Sequence, residues 1–234
     1  MKLSGRLMAI FPKKEHLFVS IIGGGGKTTL LETLGGALKA QGKSVLLTTT
    51  TRIESPLARS WQVDRVVENT HDALLYYPKK GEVVLFALKY EDVLRLKAPE
   101  METLRVLLSR YDAVLAEADG SRHLPMKWHS AKDPVIPSFN DYTLCVFGAW
   151  GMGKERREVV FGLGEEGKVD GTFLQKYLDA PEGLLKGSQT GRRAVVINGW
   201  NNVTREEANV FSEVQWPDGC VILHSSIKDD ETYD

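Results

Sequence analysis

The chain has 234 residues, and its 30 Lys and Arg against 31 Asp and Glu give a formal net charge of −1. A near-neutral chain has no bulk field to attract nucleic acid or an acidic membrane, so both classes of partner are disfavoured. Hydrophobic residues make up 42% of the sequence, and no apolar run is long enough to span a bilayer, so we predict a cytoplasmic globular protein. The length suits one domain, and no linker is evident within residues 1–234.

Short β-rich runs alternate with helical segments along the chain. Strands are predicted over 17–22, 44–50, 83–88, 112–117, 142–147, 194–197 and 220–223, and helices over 27–41, 100–111, 170–178 and 204–213. A proline-containing loop is predicted over 121–140, and a glycine-rich, charged and mobile loop over 148–171. The alternation indicates an α/β fold with a doubly wound, mostly parallel sheet.

The first strand runs directly into a glycine-rich segment, Gly23, Gly24, Gly25, Gly26, Lys27, Thr28 and Thr29. A phosphate-binding loop needs N–H groups that converge on a phosphate, a cation for the β/γ oxygens, and a hydroxyl for Mg²⁺. We predict that the four glycines supply the N–H groups, Lys27 the cation and Thr28 the Mg²⁺ ligand, while Thr29 opens the helix. The helix N-terminus adds a dipole that favours an anion.

The motif is partial, because Ile21 stands where the full phosphate-loop pattern has a glycine. Strand, loop and helix nevertheless follow in the required order, which favours a functional loop over a chance glycine-rich turn. The sequence therefore predicts a P-loop NTPase-like three-layer sandwich that binds Mg²⁺ together with ATP or GTP.

Two acidic residues, Glu117 and Asp119, follow the strand predicted over 112–117. In an extended chain, side chains two residues apart point the same way, and parallel strands end at the phosphate crevice. We predict that Glu117 holds the metal with Thr28, and that Asp119 orients water; with Lys27 they form the catalytic set. The alternative is a simple turn at Asp119-Gly120.

Two other strand ends carry candidate nucleotide contacts. The run Thr48–Thr51 and Arg52 close the second strand, and we predict that Thr50 contacts Mg²⁺ or the γ-phosphate, with Arg52 as a charge clamp. Asn198 begins a segment that resembles a guanine-reading motif, with Ser225–Lys228 as its matching partner. Because Asn201 replaces the expected aspartate, ATP and GTP both remain open. Threonine suits strands and polar residues suit turns, so purely structural roles stay open.

Four polar residues lie in the loop after Gly120: His123, Lys127, His129 and Asp133. Two histidines six residues apart on a flexible loop are a weak metal signal. We expect a solvent-exposed or substrate-facing loop instead of a metal site.

Taken together, these motifs resemble the selenium-dependent hydroxylase accessory proteins, the YqeC-like family. The resemblance runs from about Phe18 to Trp200. Its further matching segments are Glu117-Ala118-Asp119-Gly120-Ser121, Leu124-Pro125-Met126-Lys127, Asp133-Pro134-Val135-Ile136-Pro137 and Pro181-Glu182-Gly183-Leu184-Leu185-Lys186-Gly187. It implies a P-loop NTPase-like fold and a role in the maturation of a selenium-dependent molybdenum hydroxylase.

The expected function is thus a Mg²⁺-dependent nucleoside triphosphatase with slow turnover, acting as an accessory to that hydroxylase or its cofactor pathway. Two alternatives are a small-molecule kinase, with the acceptor held by residues 122–137, and a non-catalytic nucleotide sensor or chaperone. The sequence leaves open whether the chain forms a homodimer.

Overall fold

The computed structural model describes residues 1–233. Its strands are β1 (Leu17–Gly23), β2 (Val45–Thr49), β3 (Arg52–Glu54), β4 (Arg65–Val67), β5 (Val83–Phe86), β6 (Leu88–Lys89), β7 (Arg95–Lys97), β8 (Ala113–Glu117), β9 (Met126–Lys127), β10 (Tyr142–Gly148), β11 (Val160–Phe161), β12 (Arg193–Asn198), β13 (Cys220–Ser226) and β14 (Glu231–Tyr233). Its α-helices are α1 (Leu3–Ile10), α2 (Lys27–Ala40), α3 (Thr70–Leu75), α4 (Met101–Leu108), α5 (Arg156–Val159), α6 (Gly171–Asp179) and α7 (Arg205–Glu213).

Nine strands form the central sheet, in the order β14-β13-β12-β10-β1-β8-β2-β5-β4. Neighbouring strands run parallel except at the β13–β14 edge, which is antiparallel. β1 lies in the middle between β8 and β10, and all of its residues are buried. Burial on both faces explains why β1 is apolar at every position from Leu17 to Ile22 except Ser20, without regular polar alternation.

Helices cover both faces of this sheet. Leu17, Val19 and Ile21 of β1 pack in one hydrophobic cluster with residues of α1 and α2. Phe18 and Ile22 point the other way, into clusters that include residues of α3 and α4 or of α6 and α7. The architecture is therefore a three-layer α/β sandwich with a mostly parallel sheet, as the alternating pattern predicts.

Several local features follow the sequence expectation closely. α2 begins at Lys27, directly after the glycines, and α7 begins after Thr204, whose side chain forms a capping box with Glu207. This pairing satisfies backbone groups at the helix start in a way that the two residue types encode locally.

Other segments differ from the expectation. The strand predicted over 83–88 ends at Phe86, because Leu88 and Lys89 join a separate small sheet in the order β3-β7-β6. α1 was not predicted. The stretch 148–171, predicted as a mobile loop, contains α5 and β11, and its Val159, Val160 and Val169 are buried. Within residues 1–233, no helix combines the length and apolar character needed to cross a bilayer.

Candidate functional site

The candidate site lies where four neighbouring parallel strands end. β1 ends at Gly23, β8 at Glu117, β10 at Gly148 and β12 at Asn198. Carboxyl ends of parallel strands share one edge of a sheet, and ligands of open α/β sheets bind in the crevice outside that edge. The structure therefore brings the glycine segment, the first acidic residue and Asn198 to the same edge.

The glycine segment is a tight loop in which packing excludes larger residues. Gly23, Gly25 and Gly26 have positive φ values of 99°, 69° and 121°. A Cβ on Gly23 would lie 2.1 Å from the carbonyl oxygen of Val146, and one on Gly25 would lie 2.3 Å from the amide nitrogen of Gly148. Both conformation and close approach thus require glycine here.

Part of the loop is already hydrogen-bonded within the protein. The amide of Gly24 donates to the carbonyl of Val146 (2.8 Å), and that of Gly25 to the carbonyl of Leu124 (3.0 Å). The amide of Gly23 donates to the Asp119 carboxylate (2.7 Å). These three N–H groups therefore hold the shape of the loop. A ligand would have to accept hydrogen bonds from the backbone N–H groups that follow them.

Lys27 is buried at the centre of the site. Its Nζ donates to the carbonyl of Gly23 (2.6 Å) and lies 3.0 Å from Asp119 Oδ1 and 3.8 Å from Glu117 Oε1. The structure thus brings the three predicted catalytic residues together. Burial alone would lower the pKa of Lys27, but the charges of Asp119 and Glu117 outweigh burial, so this pKa is raised and the ammonium form is favoured.

The two carboxyl groups respond to the same environment in opposite directions. Burial raises the pKa of Glu117, and the attraction of Lys27 and the Thr28 hydrogen bond do not cancel that effect. Burial also acts to raise the pKa of Asp119, but Lys27, His129 and the Gly23 amide more than compensate, so this pKa is lowered. The site therefore favours the anionic form of Asp119, and Glu117 is the carboxyl of the two that is protonated at higher pH.

Thr28 and Glu117 offer oxygen ligands suited to a hard cation. The Thr28 hydroxyl donates to Glu117 Oε2 at 2.7 Å, so these two oxygens lie at the same spot beside Lys27. Mg²⁺ prefers oxygen ligands and is commonly held by few protein groups together with phosphates. The pair therefore fits the Mg²⁺ predicted for it. Within residues 1–233, no cluster of three or more His, Cys, Asp or Glu is arranged around a metal position.

The sequence did not predict that His129 lies within the candidate site. It was expected on an exposed or substrate-facing loop, yet it is buried, with Nε2 2.7 Å from Asp119 Oδ2 and Nδ1 2.7 Å from the carbonyl oxygen of Gly183. Both ring nitrogens face oxygen atoms, so the ring is held from two sides. His129 therefore links Asp119 to the segment 181–187, which the sequence treats only as part of the family resemblance.

The other polar residues of that loop divide between interior and surface. Lys127 is buried, pairs with Asp133 (2.7 Å) and lies over the Phe161 ring, whereas His123 is largely exposed. The expectation of solvent exposure is thus wrong for Lys127 and His129, because β9 pairs with β11 and packs against α6, while the substrate-facing alternative stays a prediction.

The threonine run after β2 is used mainly by the protein itself. The hydroxyls of Thr48, Thr49 and Thr50 donate to the carbonyls of Phe86, Glu117 and Val135. The Thr50 hydroxyl is therefore engaged in holding the residues near Val135. Thr51, in contrast, borders the site cavity, and its Oγ1 is buried with no hydrogen-bond partner among residues 1–233. Thr51 therefore carries the hydroxyl of this run that no residue among 1–233 hydrogen-bonds.

Asn198 ties three segments together. Its Nδ2 donates to the carbonyl of Gly25 (2.7 Å), and its Oδ1 accepts the amides of Gly199 and Ile227 (2.9 Å each). The segments that resemble a guanine-reading pair are therefore adjacent in space, and Asn198 contacts the glycine loop directly. Its amide group is occupied by backbone, so it supports the loop from beneath.

A cavity of about 750 Å³ opens beside this cluster. One part of its lining is Gly25, Gly26, Lys27, Thr28 and Glu117. Another part carries four basic side chains from the small sheet and from the loop after β8, which we call the cationic rim: Arg52, Arg95, Arg122 and Lys132. The volume is within the usual range for small-molecule sites, roughly 300–1,000 Å³.

Comparisons with known proteins agree on one family. The family model of the YqeC protein matches residues 19–163, which include the glycine loop, Glu117, Asp119 and His129. The Escherichia coli (strain K12) protein called "Uncharacterized protein YqeC" is 30% identical over 220 residues, covering 88% of this chain and 84% of its own. No solved structure matches the chain. The family model spans more than half of the chain and the relative nearly all of it: the chain belongs to the YqeC protein family.

Proposed function

We propose that the chain binds a nucleoside triphosphate with Mg²⁺ at the loop 23–29 and hydrolyses it slowly. The observation that carries this proposal is the buried Lys27, which sits at a strand-to-helix glycine loop between two carboxylates and beside the Thr28–Glu117 pair. A buried ammonium at such a loop is suited to the β/γ oxygens of a triphosphate, and the start of α2 adds its dipole.

The residues take distinct roles in this proposal. Lys27 moves from the Gly23 carbonyl to the phosphate oxygens, and the first amides of α2 donate to the same anion. Thr28 and Glu117 hold Mg²⁺, which supplies neutralisation of the phosphate charge when bound. Asp119 is fully buried and occupied by Gly23, Lys27 and His129, so its contacts support a positioning role better than direct alignment of a water. Thr50 stays a weaker candidate for nucleotide contact than Thr51.

The biological context proposed is maturation of a selenium-dependent molybdenum hydroxylase. It rests on membership of the YqeC family and on the accessory role that the sequence resemblance implies. In that context nucleotide binding and hydrolysis would set when the protein engages and releases the hydroxylase or a component of its cofactor pathway.

The proposal is tested by titrating ATP and GTP, each with Mg²⁺, into the Lys27→Ala variant in a calorimeter. We expect affinity to fall at least about 100-fold, because a buried charge-assisted phosphate contact is lost. The matched control is Lys39→Ala, which removes an exposed lysine from the same helix. Because Lys27→Ala also disturbs buried charges, Thr28→Ala serves as a milder variant that should lose the Mg²⁺-dependent part of the affinity. Wild-type affinity in both variants would refute the proposal.

A small-molecule kinase is the second candidate, and the cavity beside the cluster favours it, since a triphosphatase needs no room for an acceptor. Release of ADP or GDP that depends on an added acceptor would support the kinase. Release in buffer alone would support the triphosphatase, and tight binding without any turnover would support a nucleotide sensor.

A further inference from the structure

The charges that line the cavity are unevenly compensated. Lys27 is matched by Asp119, and Arg59 by Glu32 on α2. The lining carboxylates Glu117, Glu54 and Asp133 likewise have cationic neighbours, namely Lys27, Arg59 and Lys127. These five charged groups of the lining are therefore balanced by the protein itself.

The cationic rim is the exception. None of the ion pairs formed within residues 1–233 includes any of its four side chains. Arg52 donates to the neutral hydroxyl of Tyr90 (2.8 Å), and Arg122 lies over the Phe161 ring at 5.1 Å. The remaining lining acid, Asp92, accepts the amide of Leu94. Four cations thus face one cavity with one unpaired carboxylate nearby.

Backbone conformation adds to this observation. Arg122 and His123 are consecutive non-glycine residues with φ values of 49° and 64°, in the left-handed region that L-residues avoid. The turn is held by the amide of Leu124, which donates to the carbonyl of Ser121 (3.0 Å). Strain of this kind persists where the surrounding structure enforces it, and it is frequent at ligand-binding sites. Here it places a rim arginine beside Ser121, whose Oγ is 3.4 Å from Lys27 Nζ.

We propose that the cationic rim binds the phosphate or carboxylate group of a second, anionic small molecule next to the nucleotide's terminal phosphate. The proposal rests on the proposed function, because it assigns the nucleotide to the Lys27 side of the cavity and the second ligand to the rim. Arginine and lysine without acidic partners form charge-assisted bonds to such oxyanions, and two of the rim residues come from the small sheet that β3 and β7 build beside the cavity.

The nucleotide's own phosphates are a second source of oxyanion for the same cations, so the test separates the two sources. Wild-type protein is first saturated with a non-hydrolysable triphosphate and Mg²⁺, which occupies the Lys27 side. Inorganic phosphate and, in a second arm, succinate are then titrated into this complex. The variant is Arg95→Gln/Arg122→Gln, and the matched control is Lys13→Gln/Arg205→Gln, which removes two exposed cations outside the cavity.

We expect at least one of the two probes to bind the nucleotide complex of the wild type and of the control. In the rim variant that binding should weaken at least about tenfold, because two charge-assisted contacts are lost, while nucleotide affinity changes less than about threefold. Equal losses for probe and nucleotide would assign the rim to the nucleotide and overturn the proposal. Absence of probe binding to a saturated wild-type complex would also overturn it, whereas failure of the nucleotide itself to bind would overturn the proposed function.

Discussion

The two sides of the cavity differ in how their charges are balanced. On the side of the glycine loop, Lys27, Asp119, Glu117 and His129 are buried and contact one another at short distances. On the cationic rim, the basic groups are mostly exposed and lack acidic partners among residues 1–233. The charges on the side of the glycine loop are thus balanced within the folded protein, whereas those of the cationic rim are not. Changes on the first side should therefore cost stability, and changes on the rim should cost binding alone.

The largest expected effect is on the buried side. Asp119→Ala leaves Lys27 and His129 buried without their acidic partner, so we expect the free energy of unfolding to fall by about 3–5 kcal/mol in urea denaturation. The exposed Asp218→Ala should stay within about 0.5 kcal/mol of the wild type. A loss below about 1 kcal/mol for Asp119→Ala would contradict the view that folding requires this anion.

The difference in the free energy of unfolding between the wild type and Asp119→Ala should depend on pH in a defined direction. The pKa of Asp119 is lowered by folding, so its stabilising contribution is complete above the ordinary value of 3.8 and is lost as the pH falls through the lower, folded value. The gap between wild type and Asp119→Ala should therefore be widest near neutral pH and should shrink on acidification.

The second effect concerns the shape of the loop. Gly25→Ala introduces a Cβ at 2.3 Å from the Gly148 amide and at a positive φ, so we expect a loss of about 2–4 kcal/mol in the free energy of unfolding. Gly36→Ala is the matched control, since it lies within α2 with open space around a Cβ and should be neutral or stabilising by up to about 1 kcal/mol. Similar thermal denaturation curves for the two variants would show that the loop adapts.

A third effect sharpens the contrast between the two carboxyl groups. The raised pKa of Glu117 means that it must lose a proton to hold Mg²⁺, so affinity for the Mg²⁺–triphosphate should fall as the pH drops below that pKa, by up to about tenfold per pH unit. Glu117→Gln should bind more weakly and lose this dependence, while exposed Glu158→Gln should keep it. Calorimetry across a pH series measures both, and an unchanged slope in Glu117→Gln would assign the proton to another group.

The smallest expected effect is on the stability of the rim variants. Because Arg95 and Lys132 have no acidic partner within the described chain, Arg95→Gln/Lys132→Gln should change the free energy of unfolding by no more than about 0.5 kcal/mol. A clearly larger loss would mean that folding, and not ligand binding, uses these side chains.

The sequence predicted those elements of the fold that a few neighbouring residues determine. The apolar run of β1, the start of α2 after Gly26 and the Thr204–Glu207 cap are each encoded within a few residues. The small sheet was missed because its strands have two or three residues and pair across a long stretch of chain. α1 was missed as well, because its stability comes from packing on α2 and on the β13–β14 edge.

The candidate site shows the same division. The proximity of Lys27, Thr28, Glu117 and Asp119 was predictable because strand ends in a parallel sheet meet at one edge. The role of His129 was not predictable, because its burial depends on Gly183, which lies far along the chain. Thr50 and Thr51 are neighbours of one residue type, and only the folded structure distinguishes the hydrogen-bonded hydroxyl of Thr50 from the unbonded hydroxyl of Thr51.

The inward hydrogen bonds of Gly24 and Gly25 have a consequence for exchange experiments. Their amide hydrogens are held by Val146 and Leu124 before any ligand arrives, so they should exchange slowly with deuterated solvent in the free protein. A nucleotide should then alter protection mainly from Gly26 onward, at the start of α2. The loop is thus preorganised for binding, and little of the ligand's binding energy would be needed to set the conformation of the loop.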